Sequence, residues 1–255
     1  MTAPIQACPD HAAALHARSG QRLLGALLIA EALLAFTPVA VLGPAFGWPQ
    51  SLRDPASAQL LAIQARPAAL SLGYSLYLLY SILIAPALIG LAAHLLGGLH
   101  RPIAAVVAAF AALSTLARAI GILRWLTVMP ALARAYASAD PAGRLRIELV
   151  FDALTSYGGG IGELLGVSLF TAVALGTLCV AAWRGETLPA WLALAGVATA
   201  LLLAAIATPA LGMPLEAPIA AATTALSLWL LAAGVFVARR RDAVEARVPR
   251  ARFNA

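Results

Sequence analysis

Lysine is missing from this chain: all 17 basic residues are arginine. Its absence removes the side chain that a phosphate-binding P-loop requires, and with the abundance of alanine it matches codon usage in a GC-rich bacterial genome. Cysteine is scarce, with only Cys8 and Cys179 in 255 residues. Two are too few for a disulfide framework or a cysteine-based metal site. Charge is scarce as well. Only 11% of residues are charged against 62% hydrophobic, and mean hydropathy is +0.89, whereas a soluble domain carries about a quarter charged and about half apolar residues. A chain of this composition needs lipid as its solvent. Its net charge of +6 would point to nucleic acid in a soluble protein, but the arginines sit mostly at the ends of apolar runs and in the C-terminal tail. There they orient a membrane protein, and no nucleic-acid partner is expected.

What the chain does have is long apolar runs, and six of them are long enough to cross a bilayer, which takes about 20 residues. The first covers 23–46 and is interrupted late by Pro38 and Pro44; a polar loop with Arg53, Asp54 and Arg66 follows. The second covers 70–96, and the turn Gly97, Gly98, His100, Arg101, Pro102 leads into the third, 103–126. Its apolar pattern continues to Tyr136 past Pro130, a proline that should kink or end the helix. In 144–154, RLRIELVFDAL, apolar residues are interleaved with Arg144, Arg146, Glu148 and Asp152. That pattern predicts a short amphipathic helix in the interface, or equally the solvated start of span four. A glycine-rich turn in SYGGGIGELLG then opens span four at 161–183; span five at 191–211, the turn GMPLEAP and span six at 219–237 complete the set. The expected fold is an all-α polytopic bundle over 23–238, with a polar tail at 1–22 and a basic tail at 239–255. Within the first tail, AALHARSGQR has the composition of a short helix. A cleaved signal peptide fits poorly, because the apolar run is longer than an h-region and contains Glu31.

Arginine placement sets the orientation. With the N-terminus inside, the inner segments hold Arg18, Arg22, Arg101, Arg184, Arg239, Arg240, Arg241, Arg247, Arg250 and Arg252, and the outer ones hold Arg53, Arg66, Arg134, Arg144 and Arg146. The excess favours both termini in the cytoplasm of a cell whose inner membrane the bundle spans. Both cysteines then face the reducing side, and Cys179 reads as a small apolar helix residue.

Ionisable residues at hydrocarbon depth are expensive and are candidates for function. Here they are Glu31, His94, Arg118, Arg124 and Glu163. Counted from the inner ends, Glu31 lies about 12 Å in, Arg118 about 22 Å and Glu163 about 30 Å. Arg118 must find a carboxylate, carbonyls or water, and Glu163 is the nearest carboxylate in depth. Arg124, at the outer boundary, competes for Glu163 or pairs with Asp152 or lipid phosphate; it projects about 120° away from Arg118 around the helix. A structural ion pair Arg118–Glu163 is a simpler reading than a catalytic or transport site. Glu31 is harder to place: unpaired, it would be a neutral carboxyl bonded to a neighbouring helix, or a proton-linked group. His94 falls near the inner boundary and reads as interfacial. With no second His, Cys or carboxylate at ligand spacing, no metal site is expected, and no cofactor motif is present.

Gly158, Gly162 and Gly166 are four apart and would line one helix face, permitting close backbone approach, with Glu163 beside the stripe. A loosened helix start facing an anion is the alternative. Tyr74, Tyr77 and Tyr80 recur at spacing three near the outer end of span two, as an interfacial belt or the lining of a cavity for an amphipathic ligand. The run YGGGIGELLGVSLFTAVALGTLCVAAWRGETLPAWLALAGVATALLLA, with its Gly-rich start, Arg-containing turn and LPAWL, resembles the bacterial six-span family called domain of unknown function 4386, over roughly 18–241. The resemblance implies a fold and a membrane location and no activity.

Two classes of function remain. One is a non-enzymatic transporter, binding or accessory protein using Arg118, Glu163 and Glu31, with membrane lipid and a small or amphipathic ligand as partners. The other is an intramembrane enzyme acting on a lipid-like substrate at the outer interface. No nucleophile and base pair favours the enzyme, and no inverted repeat or pair of broken helices favours a secondary transporter.

Overall fold

A computed structural model describes residues 9–208 and 219–240, and every regular element among them is helical. Cys8, the GMPLEAP turn and the tail from Arg241 lie outside the described residues. The order is α1 (Pro9–Leu34), α2 (Thr37–Phe46), α3 (Ala56–Ala65), α4 (Pro67–Leu96), α5 (Pro102–Leu126), α6 (Val128–Ser138), α7 (Pro141–Gly159), a π-helical segment (Gly160–Phe170), α8 (Thr171–Arg184), α9 (Ala190–Ala205) and α10 (Ile219–Arg239).

Five stretches are long and apolar enough to cross a membrane: Arg18–Phe46, Pro67–Leu96, Pro102–Ser138, Pro141–Arg184 and Ile219–Arg239. The sixth apolar helix, α9, has 16 residues and falls short of that length. Leucines and isoleucines such as Leu79, Ile82, Leu116, Ile120, Leu201 and Leu228 point outward around the bundle. Water would not tolerate a belt of this kind, so the protein is a multi-pass membrane protein whose surface meets lipid.

Local chemistry explains the breaks. Pro38 has no N–H to give the carbonyl of Leu34, four residues back. The Thr37 hydroxyl donates to that carbonyl instead at 2.8 Å, where α1 gives way to α2. Pro130 acts in the same way on the carbonyl of Leu126, and α5 ends at Leu126 before α6 resumes at Val128. After α4, Gly97 and Gly98 take φ of 80° and 108°, a left-handed reversal that glycine adopts without a Cβ penalty.

Three expectations change. The stretch after Phe46 is not a plain polar loop: it contains α3, whose Ala56, Leu60 and Ile63 are buried where it packs on α6 and α7. Of the two readings of 144–154, the start of span four holds and the separate interfacial helix does not, since α7 runs into the π segment and α8 without interruption. Accordingly the glycines at 158–160 form no turn. Asp140, ahead of Pro141, accepts from the Gly143 N–H at 2.7 Å and fixes where this long helix begins.

The helices close a ring. Helix α1 packs on α4, α4 on α5, α5 on α8, α8 on α9, α9 on α10 and α10 back on α1. Closure between the first and last helices relies on Gly25 and Gly234, where a Cβ on either would come within 2.9 Å of the other's carbonyl oxygen. At the end of that seam the Gln21 amide donates to the carbonyls of Val237 (2.7 Å) and Arg240 (2.6 Å). Both lie at the end of α10, where carbonyls run short of backbone donors, so Gln21 ties the two ends of the ring together on one side of the bundle. Gln21→Leu is expected to cost about 2 kcal/mol, read as a lower melting midpoint in detergent; an unchanged midpoint would show that the seam does not depend on it.

Candidate functional site

Two apolar clusters fill the bundle. One gathers Leu28, Ala32, Ile84, Leu88, Ala111 and Ala172 with residues nearer the chain ends. The other gathers Leu42, Leu60, Tyr74, Ile122, Trp125 and Phe151 under α2 and α3. Between the two, on α4 and α5, lie Tyr80, Ser81, Ser114 and Arg118, all buried. A polar layer therefore divides the core at mid-depth.

Arg118 is its centre and is only 2% exposed. Its Nη2 donates to the Thr171 hydroxyl at 2.9 Å, and the guanidinium carbon lies 5.7 Å from the centre of the Tyr80 ring, within cation–π range. Thr171 can accept because its own proton goes to the Gly166 carbonyl at 2.7 Å, which the Ser114 hydroxyl also reaches at 2.9 Å. Arg118 Nε and Nη1 make no hydrogen bond, nor do both Glu31 carboxyl oxygens, the Tyr80 hydroxyl and the Ser81 hydroxyl. Glu31 is fully buried. Leaving a buried polar group without a partner costs about 1–3 kcal/mol, more if it is charged. So many open groups in one layer make it the candidate site of this chain.

Helix register brings Glu31 to the level of this layer. A Cβ at Gly90 would meet the Leu24 side chain at 2.8 Å, so those residues are level on antiparallel helices. Seven residues further along α1, about 10 Å, Glu31 stands level with the stretch of α4 just below Ser81 and Tyr80. The Arg118 guanidinium is within electrostatic reach of that carboxyl.

The glycine stripe sets the other wall. A Cβ at Gly121 would lie 2.8 Å from Gly162 Cα and 2.9 Å from the Gly158 carbonyl, and one at Gly166 would lie 2.9 Å from the Arg118 backbone nitrogen. Backbone meets backbone along the whole crossing of α5 with the long helix, as expected for tight packing. The crossing falls in an 11-residue π-helical segment. Long π-helices are rare, and π geometry gathers at functional positions. Its i→i+5 bonding widens the turn, so glycines four apart keep one face towards α5. Along this crossing Arg118 is level with Gly166, whereas Gly158 abuts the Arg124 side chain. The charge acting on Glu163 is that of Arg124. Arg124 also donates to the Gly121 carbonyl at 2.7 Å and lies over the Trp125 ring at 5.4 Å.

A family model described as "Domain of unknown function (DUF4386)" matches residues 23–234. The chain belongs to this family. Neither a curated protein nor a solved structure matches it. The match in this DUF4386 protein takes in all or part of every helix of the ring, together with Glu31, Arg118, Arg124 and Glu163.

The candidates of the DUF4386 chain thus sort into two groups. Arg118 and Glu31 belong to the polar layer and Arg124 and Glu163 lie within electrostatic reach of Tyr74, while Tyr77 is within reach of Arg118, Glu163 and Arg124 alike. The tyrosines are not a plain interfacial belt: Tyr74 stacks on Trp125 at 4.9 Å, Trp48 meets Tyr77 at 5.9 Å, and Tyr77 meets Tyr80 at 6.1 Å. Aromatic rings therefore lead from beneath the Trp48 turn to the Tyr80 ring above Arg118. Sequence reasoning did not find Thr171 or Ser114. The signal was Ser114 at i−4 from Arg118, opposite the small-residue stripe.

Proposed function

We propose that this DUF4386 protein is a six-span protein of the bacterial cytoplasmic membrane, with both termini in the cytoplasm. It binds a small or amphipathic molecule at the buried polar layer, as a non-enzymatic transport, binding or accessory component. One observation carries the reading: Arg118 and Glu31 are buried between apolar clusters with donor and acceptor atoms unused, where ionisable groups are costly and mark ligand or ion paths. The aromatic series from Trp48 to Tyr80 supports entry from the side away from the chain ends. Six crossings are supported by the position of the helix ends. Arg240 donates to the Thr187 carbonyl at 2.9 Å, so α9 starts, and α10 finishes, at the Gln21 side. The arginine excess at that side supports the orientation.

Two measurements on the full chain test this. A reporter fused after Ala255 should be active only in its cytoplasmic form; the opposite result overturns the topology. Native mass spectrometry of the purified protein should find a bound species that is lost in Arg118→Gln. The same species in both proteins would remove Arg118 from the site.

A further inference from the structure

A second site lies at the end of the bundle, away from the polar layer. A groove of about 740 Å³ opens between the end of α8, the α8–α9 turn and the end of α10. Trp183, Leu188 and Phe236 form its apolar part, and Arg184, Arg240 and Glu186 contribute charge. We propose that this groove binds the head group of a phosphoethanolamine lipid, with the phosphate between Arg184 and Arg240 and the ammonium on Glu186.

Place, preorganisation and charge carry the inference. The groove lies where helices end, the level at which a bilayer changes from acyl chain to head group, and Trp183 is 48% exposed there as interfacial tryptophans are. Arg240 is held before any ligand arrives, by its Nη1 bond to the Thr187 carbonyl and by the Phe236 ring 5.8 Å from its guanidinium carbon. A guanidinium fixed in this way loses little freedom when its remaining donors take a phosphate. Glu186 has φ of 53°, a left-handed conformation uncommon for a residue other than glycine. The turn around it is pinned, since the backbone N–H groups of Thr187 and Leu188 both reach the Ala182 carbonyl, at 3.0 and 3.3 Å. Two guanidiniums beside one carboxylate suit a zwitterion that carries a phosphate and a hydrogen-bonding ammonium. Phosphocholine offers Glu186 no N–H, and phosphoglycerol offers it no cation.

The test uses the full-length protein in nanodiscs that contain phosphatidylethanolamine, phosphatidylcholine and phosphatidylglycerol in equal amounts, with retained lipid counted by native mass spectrometry. Phosphatidylethanolamine is expected to exceed each of the others by about tenfold, as one charged hydrogen bond allows. Glu186→Gln should abolish that preference while lipid is still retained. Arg240→Gln should reduce retention of all three. Equal retention of the three lipids by the wild type, or a preference that survives Glu186→Gln in protein with an unchanged melting midpoint, overturns the assignment.

Discussion

Gly121→Leu is expected to destabilise the protein by about 3 kcal/mol or more, beyond the usual 1–3 kcal/mol of an overpacked core. At most sites a new side chain meets another side chain that can rotate aside. At Gly121 the first atoms met are Gly162 Cα at 2.8 Å and the Gly158 carbonyl oxygen at 2.9 Å, and backbone can yield only if α5 and the long helix move apart. Separation would also break the Ser114 bond to Gly166 and the Arg118 bond to Thr171, since both span the crossing. Gly160→Ala is the internal control: its Cβ would meet nothing within 4 Å, and the change should stay within about 1 kcal/mol. Melting midpoints of the two variants in the same detergent decide the matter. If Gly121→Leu melts with Gly160→Ala, the helices do not cross at the glycines.

Arg118→Gln should cost about 1.5–3 kcal/mol, the range for a hydrogen bond made by a charged group. Glu31→Gln should cost much less. The asymmetry follows from the geometry, because Arg118→Gln removes the bond to Thr171 and the contact with the Tyr80 ring, whereas Glu31→Gln breaks no hydrogen bond among the described residues. In the double variant the two costs should fall short of their sum by about 1–3 kcal/mol, the range for interacting groups. Strict additivity, within about 0.5 kcal/mol, would mean that Glu31 and Arg118 do not interact, and the polar layer would lose its carboxylate.

Much of the architecture was legible because its physical signals are local. Proline at 130 breaks a helix through its own missing N–H. The spacing of Gly158, Gly162 and Gly166 marks a close-packing face whatever that face meets. The mistaken expectations concern segments whose local signal allows two outcomes. Three consecutive glycines permit a turn and equally a helix, and continuous helical bonding from Pro141 to Arg184 prevailed. The stretch containing SAQLLAIQ is too short to read as a span, and only burial against α6 and α7 makes it α3.

Pairing of charges was the least legible property. Depth along each helix can be counted from the sequence, and by that count Glu163 was the carboxylate nearest to Arg118. Which helices are neighbours, at what stagger and with which faces inward, cannot be counted in the same way. Leu24 against Gly90 and Gly166 against Arg118 set that stagger; through it Arg118 donates to Thr171 and has Glu31 within electrostatic reach, and Arg124 has Glu163 within such reach. By itself the sequence determined that the chain lives in lipid, where its helices break and which residues could bear charge at depth, because composition, proline chemistry and periodicity act within one segment. Only the tertiary structure decided what Arg118 bonds to, because a contact between residues as far apart as 118 and 171 depends on how whole helices pack.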